Sequence, residues 1–214
     1  MKTYPRLTAT LIVAWFVVAL AASALHLFTN TSSRIGLQVA AAALTPLIVF
    51  FVWFALSKNF RQFTMTLNPS LLTAAQTWRI LGFTFVLLEA HRALPAVFAL
   101  PAGYGDMFIG ATATLVAWKL AAAPHRRLFT MWQLLGIADL VIAVTTGVLA
   151  SQLDPHGVST ALMTVLPLSL IPTFFVPLFF IFHIICIAQA RKWQSESFRH
   201  DRGLVPVRPI SLNA

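Results

Sequence analysis

Charged residues and cysteine are both scarce in this chain, and each scarcity excludes a class of protein. Only 10% of the 214 residues are charged, whereas 58% are hydrophobic, and a typical soluble domain is about 25% charged. This balance excludes a water-soluble globular domain and indicates an integral membrane protein. The single cysteine, Cys186, excludes an internal disulfide and any site that needs several cysteine ligands.

Recognisable catalytic motifs are also missing. The sequence contains no Gly-Xaa-Ser-Xaa-Gly elbow, no His-Glu-Xaa-Xaa-His zinc helix and no phosphate-binding glycine-rich loop. The chain is therefore not expected to be an enzyme, although a membrane-embedded enzyme or haem protein stays open as a third interpretation. No cofactor is predicted, because His26, His91 and His183 fall at different depths and cannot converge on one haem.

Six apolar segments are each close to the ~20 residues that a helix needs to cross a bilayer. Their apolar composition is continuous rather than alternating, which favours helices over a β-barrel. We therefore predict an all-α, six-helix transmembrane bundle that occupies residues 1–190 as one domain, followed by a basic tail at 191–214. The predicted spans are approximately 8–28, 35–56, 79–100, 104–122, 129–150 and 162–190.

Lysine and arginine concentrate in alternate connections between these segments, so the positive-inside rule places both termini in the cytoplasm. One alternative is a cleaved signal peptide ending near Ala22-Ser23-Ala24, which would leave five spans. The net charge of +9 does not point to nucleic acid, because no basic and aromatic platform lies outside the spans. The basic tail instead predicts contact with anionic lipid.

The run at 94–106 resembles segments of hypothetical bacterial membrane proteins, without a named family. We accordingly expect the protein in the bacterial inner (plasma) membrane. Within this run, Pro95 predicts that the helix kinks or unwinds near residues 93–94. Pro101 and two glycines predict a tight outer turn between the third and fourth spans. Asp106 would then cap the fourth helix. On the other side of the membrane, Asn68-Pro69-Ser70 has the pattern of a helix start that runs into the third span.

Ionisable side chains within the apolar segments predict where a site lies. If the third span starts at Arg79, Glu89 lies about 15 Å along the helix and Arg92 about 20 Å. Asp139 has a similar depth on the fifth span, so an Arg92 link to Asp139 or Glu89 is one interpretation. Such groups are costly in lipid and usually face a protein interior or a wet cavity.

Carboxylates outnumber their cationic partners in this group, and desolvation favours the neutral form of an unpaired carboxyl group. We therefore take five residues as candidates for binding a small polar or ionic solute: Glu89, His91, Arg92, Asp106 and Asp139. The expected function is a small transporter or solute-binding protein, acting as a homo-oligomer. The alternative is a non-catalytic subunit or assembly factor of a larger membrane complex, in which the charges hold the helices together.

Overall fold

The computed structural model describes residues 3–29, 37–122, 125–153 and 157–201, and within these ranges it contains helices and turns but no strand. The predicted all-helical class is confirmed. The polar tail beyond Asp201 lies outside the described residues. In chain order, the elements are α1 (Thr3–Ala24), α2 (Leu37–Leu56), α3 (Lys58–Thr66), α4 (Pro69–Ala74), a 3₁₀ segment (Ala75–Gly82), α5 (Phe83–Ala90), α6 (Ala96–Lys119), α7 (Arg126–Leu153), a 3₁₀ turn (Thr160–Thr164), a π segment (Ile171–Phe175) and α8 (Val176–Asp201).

Five stretches of the described chain are helices long and apolar enough to cross a membrane, which indicates an integral membrane protein. Large apolar side chains on their outer faces are exposed in the isolated chain, as contact with lipid requires. The helix α6 is 24 residues long but carries Asp106 in its middle, and it is not among the five. The five spans are Tyr4–Ala24, Leu37–Leu56, Pro69–Ala90, Arg126–Ala150 and Ile171–Trp193.

The third span begins at Pro69, and the prediction that it begins at Arg79 was wrong. The side-chain oxygen of Asn68 accepts hydrogen bonds from the backbone N–H groups of Ser70, at 2.9 Å, and Leu71, at 3.4 Å. Pro69 occupies the first turn, where its missing N–H costs nothing. The helix start predicted at Asn68 is thus confirmed. The α4 helix, the 3₁₀ segment and α5 follow one another without a break, so Arg79 lies inside the span.

The break between α5 and α6 falls at residues 91–95, which confirms the unwinding predicted just before Pro95. No turn follows Pro101, and the prediction of one there was wrong. Arg92 adopts a positive φ of 54°, and Pro95 is extended immediately before α6. Proline disfavours the helical conformation in the residue before it, which ends the preceding helix here. The α6 helix continues through Pro101. Asp106 therefore lies in mid-helix, and its predicted role as an N-cap was wrong.

Glycines hold the 3₁₀ segment and α6 backbone against backbone. A Cβ atom added to Gly110 would lie 2.8 Å from the carbonyl carbon of Arg79, and one added to Gly103 would lie 3.0 Å from the carbonyl oxygen of Gly82. Small residues permit such approach between membrane helices. This contact places the side chain of Arg79 beside α6.

The last span is shorter than predicted. Residues 165–169 form no regular helix, and the long α8 helix begins only after the π segment, so the span covers Ile171–Trp193 instead of 162–190. Pro172 lies within the π segment and Pro177 in the first turn of α8. Proline removes a backbone donor, and a π segment is one way in which a helix accommodates that loss.

Candidate functional site

Buried polar side chains recur at intervals of three residues on three of the helices. In the third span these side chains are Thr73, Gln76 and Arg79, all of them buried. A 3₁₀ helix has three residues per turn, so the segment Ala75–Gly82 keeps Gln76 and Arg79 on one face. On α7, Gln133 is buried and Asp139 partly buried, on either side of Gly136 at the same interval; on α8 the buried residues are His183, Cys186 and Gln189.

Arg79 is the centre of the site. Its side chain is only 2% exposed and forms ion pairs with two aspartates. Nε donates to Oδ1 of Asp106 at 2.6 Å, and Nη2 donates to Oδ2 of Asp139. Nη1 faces the carbonyl oxygen of Gly136, at 3.4 Å. The planar guanidinium group thus contacts α6 and α7 through separate donors, a geometry that a lysine cannot reproduce.

His183 is fully buried and accepts a hydrogen bond from the same guanidinium. Nη1 of Arg79 lies 3.2 Å from Nε2 of His183, and since arginine can only donate, Nε2 must accept. The imidazole is therefore neutral, with its proton on Nδ1, which donates to Oε1 of Gln133. His183 brings a third helix, α8, to the site without adding a positive charge.

A row of hydrogen bonds continues from His183 towards the start of the third span. Nε2 of Gln133 donates to the hydroxyl oxygen of Thr73 at 3.1 Å. Thr73 contacts Sγ of Cys186 at 3.8 Å, and the Cys186 thiol donates to the carbonyl oxygen of Pro69 at 3.9 Å. We call this series, from Arg79 through His183, Gln133, Thr73 and Cys186 to Pro69, the polar row.

A small cavity of about 120 Å³ lies where the polar row ends. Pro69 and Lys192 line it together with Gln189. The amide nitrogen of Gln189 donates to the carbonyl oxygens of Thr64 and Leu67, at 3.0 and 2.8 Å. Its amide oxygen Oε1 is buried and has no hydrogen-bond partner. The cavity volume of about 120 Å³ is large enough to hold water at this end of the row.

The cluster at the centre of the site consists of Arg79, Asp106, Asp139 and His183. Each of these residues lies near the midpoint of its helix. Arg79 is midway along the span Pro69–Ala90, and Asp106 midway along α6. Asp139 and His183 occupy the middle of the spans Arg126–Ala150 and Ile171–Trp193. Helices that cross a bilayer therefore carry this cluster at about half the depth of the membrane.

Two glycines make room for these side chains. A Cβ atom on Gly105 would collide with the carboxylate of Asp139, and a Cβ atom on Gly136 would collide with the imidazole of His183. Both carboxylates are only slightly exposed, 16% for the side chain of Asp106 and 11% for Asp139. The site is accordingly tightly packed around side chains that would be charged in water.

The structure brings together two of the five sequence-predicted site residues, Asp106 and Asp139. Glu89, His91 and Arg92 lie instead at the end of α5 and in the break after it, with His91 and Arg92 exposed. Nδ1 of His91 contacts the carbonyl oxygen of Leu87 at 2.8 Å. The expected partner of Asp139 was Arg92, whereas its partner in the structure is Arg79, because the span begins ten residues earlier than predicted.

Sequence reasoning missed Arg79, His183, Gln133 and Thr73. Arg79 stands at the edge of a strongly apolar run, where a basic residue usually marks the membrane surface. Two signals could have revealed its position. The helix start at Asn68 places Arg79 about 15 Å along the span, and the spacing of three from Thr73 through Gln76 to Arg79 describes one polar face.

Apart from the cluster, the described residues form an apolar cavity but no metal site. In the part of the chain that the structure describes, no three side chains of the histidine, cysteine, aspartate and glutamate types are arranged to share a metal ion. An apolar cavity of about 540 Å³ lies among α1, α2, α3 and α8, and no residue of the cluster or of the polar row lines it.

Comparison with known proteins gives one match. The model of a family described as a domain of unknown function (DUF8737) matches residues 34–191, a range that contains the whole cluster and the polar row. No curated protein and no solved structure matches the chain. Because the family model covers well over half of the sequence, the chain belongs to the DUF8737 family.

Proposed function

We propose that this protein is a small transporter or ion-binding protein of the bacterial inner membrane, with Asp106 and Asp139 forming its intramembrane site. Arg79 would be the fixed counter-charge of that site. The observation that carries the proposal is the convergence of two carboxylates on one buried guanidinium group. In this proposal the site takes up a proton or a small cation.

The charge balance of the cluster is the physical reason to expect that it binds a proton or a cation. Two ionised aspartates and one arginine leave one surplus negative charge, and neutral His183 does not offset it. In the part of the chain that the structure describes, Arg79 is the only cation that pairs with either aspartate. A surplus charge at low dielectric is strongly unfavourable, so the cluster favours the capture of one proton or cation.

The local structure supports a functional site. A 3₁₀ stretch of eight residues is unusually long, and such a stretch within a helix often marks a hinge. The polar row provides a path of polar contacts from the small cavity at Pro69 to the cluster. We infer that the ion reaches the site from this end of the span.

The topology proposed for this function has six spans and both termini in the cytoplasm. The α6 helix would be the additional span, since its 24 residues are sufficient for the ~20 that a bilayer requires. Its aspartate faces Arg79 rather than lipid. A bundle of this size is small for a carrier acting alone, so the proposal includes assembly as a homo-oligomer.

One observation favours a second function, a packing role in a non-catalytic membrane subunit or assembly factor. Arg79 is almost completely buried, and its contacts join the third span to α6, α7 and α8. Such a network holds helices together without binding any solute. Buried ion pairs of this kind can set the specificity of packing.

Ion flux through proteoliposomes distinguishes the two functions. Purified protein is reconstituted with a pH-sensitive dye inside the vesicles, and proton entry and sodium-dependent proton exchange are measured under an imposed gradient. We expect flux with the wild type and its loss in both Asp139→Asn and Asp106→Asn. The matched control is Glu89→Gln, which neutralises an acid at the end of α5 and should leave the flux unchanged.

The variants' stability completes the test. Asparagine has nearly the same shape as aspartate and removes the surplus charge, so each variant should fold with an unchanged or higher melting temperature. Folded variants without flux support the ion-binding function. If wild type and folded variants all conduct equally, or if none conducts, the ion-binding proposal is wrong and the packing role is favoured.

A further inference from the structure

The apolar cavity of about 540 Å³ is bounded by membrane-spanning helices on several sides. The spans of α1, α2 and α8 form its walls, and α3 closes one end. Its volume is typical of cavities that hold a small molecule. Most of the lining is apolar, as shown by Ile12, Trp15, Ala42, Phe50, Phe63 and Ile185.

Aromatic rings form the end of the cavity next to α3. The rings of Trp53 and Phe60 stack with their centroids 3.9 Å apart, and Tyr4 stacks on Phe63 with centroids 6.0 Å apart. The α3 helix is short and amphipathic, with Phe60 and Phe63 buried against the cavity. Aromatic side chains of this kind are enriched where a membrane meets water.

Three exposed cations lie on α1 and α3, two of the helices that bound this end of the cavity. Lys58 and Arg61 lie on the outer face of α3, and Arg6 lies two residues before Thr8, which lines the cavity. The first 88 residues of the chain contain no aspartate or glutamate. These cations consequently have no acidic partner nearby in sequence, and their combined field attracts an anion.

From this geometry we propose that the cavity binds one anionic phospholipid. An acyl chain fills the apolar part between α1, α2 and α8, while the phosphate lies against Lys58, Arg61 and Arg6. The bilayer itself supplies this ligand, and no acid in the first 88 residues opposes its charge. The site is separate from the Arg79 cluster.

Native mass spectrometry of protein released from nanodiscs tests this site. The nanodiscs contain equal amounts of phosphatidylglycerol and phosphatidylcholine. We expect one retained phosphatidylglycerol per chain in the wild type. Ala42→Phe places a ring in the cavity and should abolish retention. The matched control is Ala43→Phe, which adds the same ring to the neighbouring residue outside the lining and should retain the lipid.

A second pair of variants tests the headgroup contact without changing the core. Lys58→Gln combined with Arg61→Gln should lower the preference for phosphatidylglycerol about five-fold or more, since each cation near an anionic lipid contributes about this factor. Lys119→Gln combined with Arg127→Gln removes the same charge from exposed positions elsewhere and should have no effect. Retention of phosphatidylcholine equal to that of phosphatidylglycerol in the wild type would overturn the proposal, as would equal effects of the two charge pairs.

Discussion

Arg79 shows how one side chain can satisfy groups from three neighbouring helices. Its Nε, Nη1 and Nη2 atoms face Asp106, His183 and Asp139, on α6, α8 and α7. A single buried cation of this kind is costly unless every donor has an acceptor. The same contacts explain why His183 is neutral, because arginine has no lone pair to offer the imidazole.

Removing the arginine should be far more damaging than removing either aspartate. Arg79→Gln leaves two carboxylates buried without a cation, and breaking a buried pair in this way costs about 3–5 kcal/mol. Thermal unfolding in detergent should show a large drop in melting temperature. The triple variant with Asp106→Asn and Asp139→Asn should recover much of it, and failure to recover would mean that the charges are not what destabilises the single variant.

The polar row makes a separate prediction at the residue scale. Gln133→Leu removes the acceptor for His183 and the donor for Thr73, and each unpaired buried group costs about 1–3 kcal/mol. Proton flux in proteoliposomes should fall, because the contacts between Pro69 and the cluster are interrupted. Gln76→Leu is the matched control, since Gln76 is equally buried but contacts the Phe179 carbonyl instead. Equal flux in both variants would show that the row is not the route.

At the scale of elements, the contact between the 3₁₀ segment and α6 positions the site. Asp106 lies between Gly103 and Gly110 on the face of α6 that meets the 3₁₀ segment. Side chains at these glycines would separate the two backbones, and Arg79 would move away from Asp106. The close approach and the ion pair therefore depend on each other.

Gly110→Ala tests this dependence. The added methyl group would meet the backbone between Arg79 and Ile80, which cannot move as a flexible side chain does. We expect a loss of about 1–3 kcal/mol from overpacking, measured as a lower melting temperature. Ala111→Val adds volume to the exposed face of the same helix and should cost much less. If both variants unfold at the same temperature, the backbone contact is not important for stability.

At the scale of the whole molecule, the charged cluster lies where four helices converge. Arg79, Asp106, Asp139 and His183 come from separate elements, and each lies near the midpoint of its helix. This arrangement explains how α6 can carry an aspartate in its middle and still serve as the sixth span that we propose. A helix surrounded by its neighbours does not expose Asp106 to lipid.

Cysteine labelling of intact cells tests the proposed topology. Single cysteines are introduced into a Cys186→Ser background at Gln62, His91, His125 and Val158. With six spans and cytoplasmic termini, an impermeant maleimide should modify only the cysteines at His91 and Val158. His125 is decisive, because it lies in the connection between α6 and α7. Modification at His125 in intact cells would show that α6 does not cross the membrane.

The sequence alone predicted the helical membrane class, the helix start at Asn68 and a mid-span position for Asp139. These features depend on local properties, namely continuous apolar composition and the capping preferences of Asn and Pro. The helix break before Pro95 was also predicted by a local rule and is confirmed. The turn predicted near Pro101 by the same kind of rule was wrong, since α6 continues through that proline. Two nearby prolines offer similar local signals, and packing decides between them.

The partners of Arg79 were decided by tertiary structure alone. Asp106 and Asp139 are 27 and 60 residues away from it along the chain, and His183 is 104 residues away. A basic residue at the edge of an apolar run is stable at the membrane surface by default. Only the convergence of two carboxylates and an imidazole makes the membrane centre favourable for Arg79, and sequence composition carries no information about that convergence.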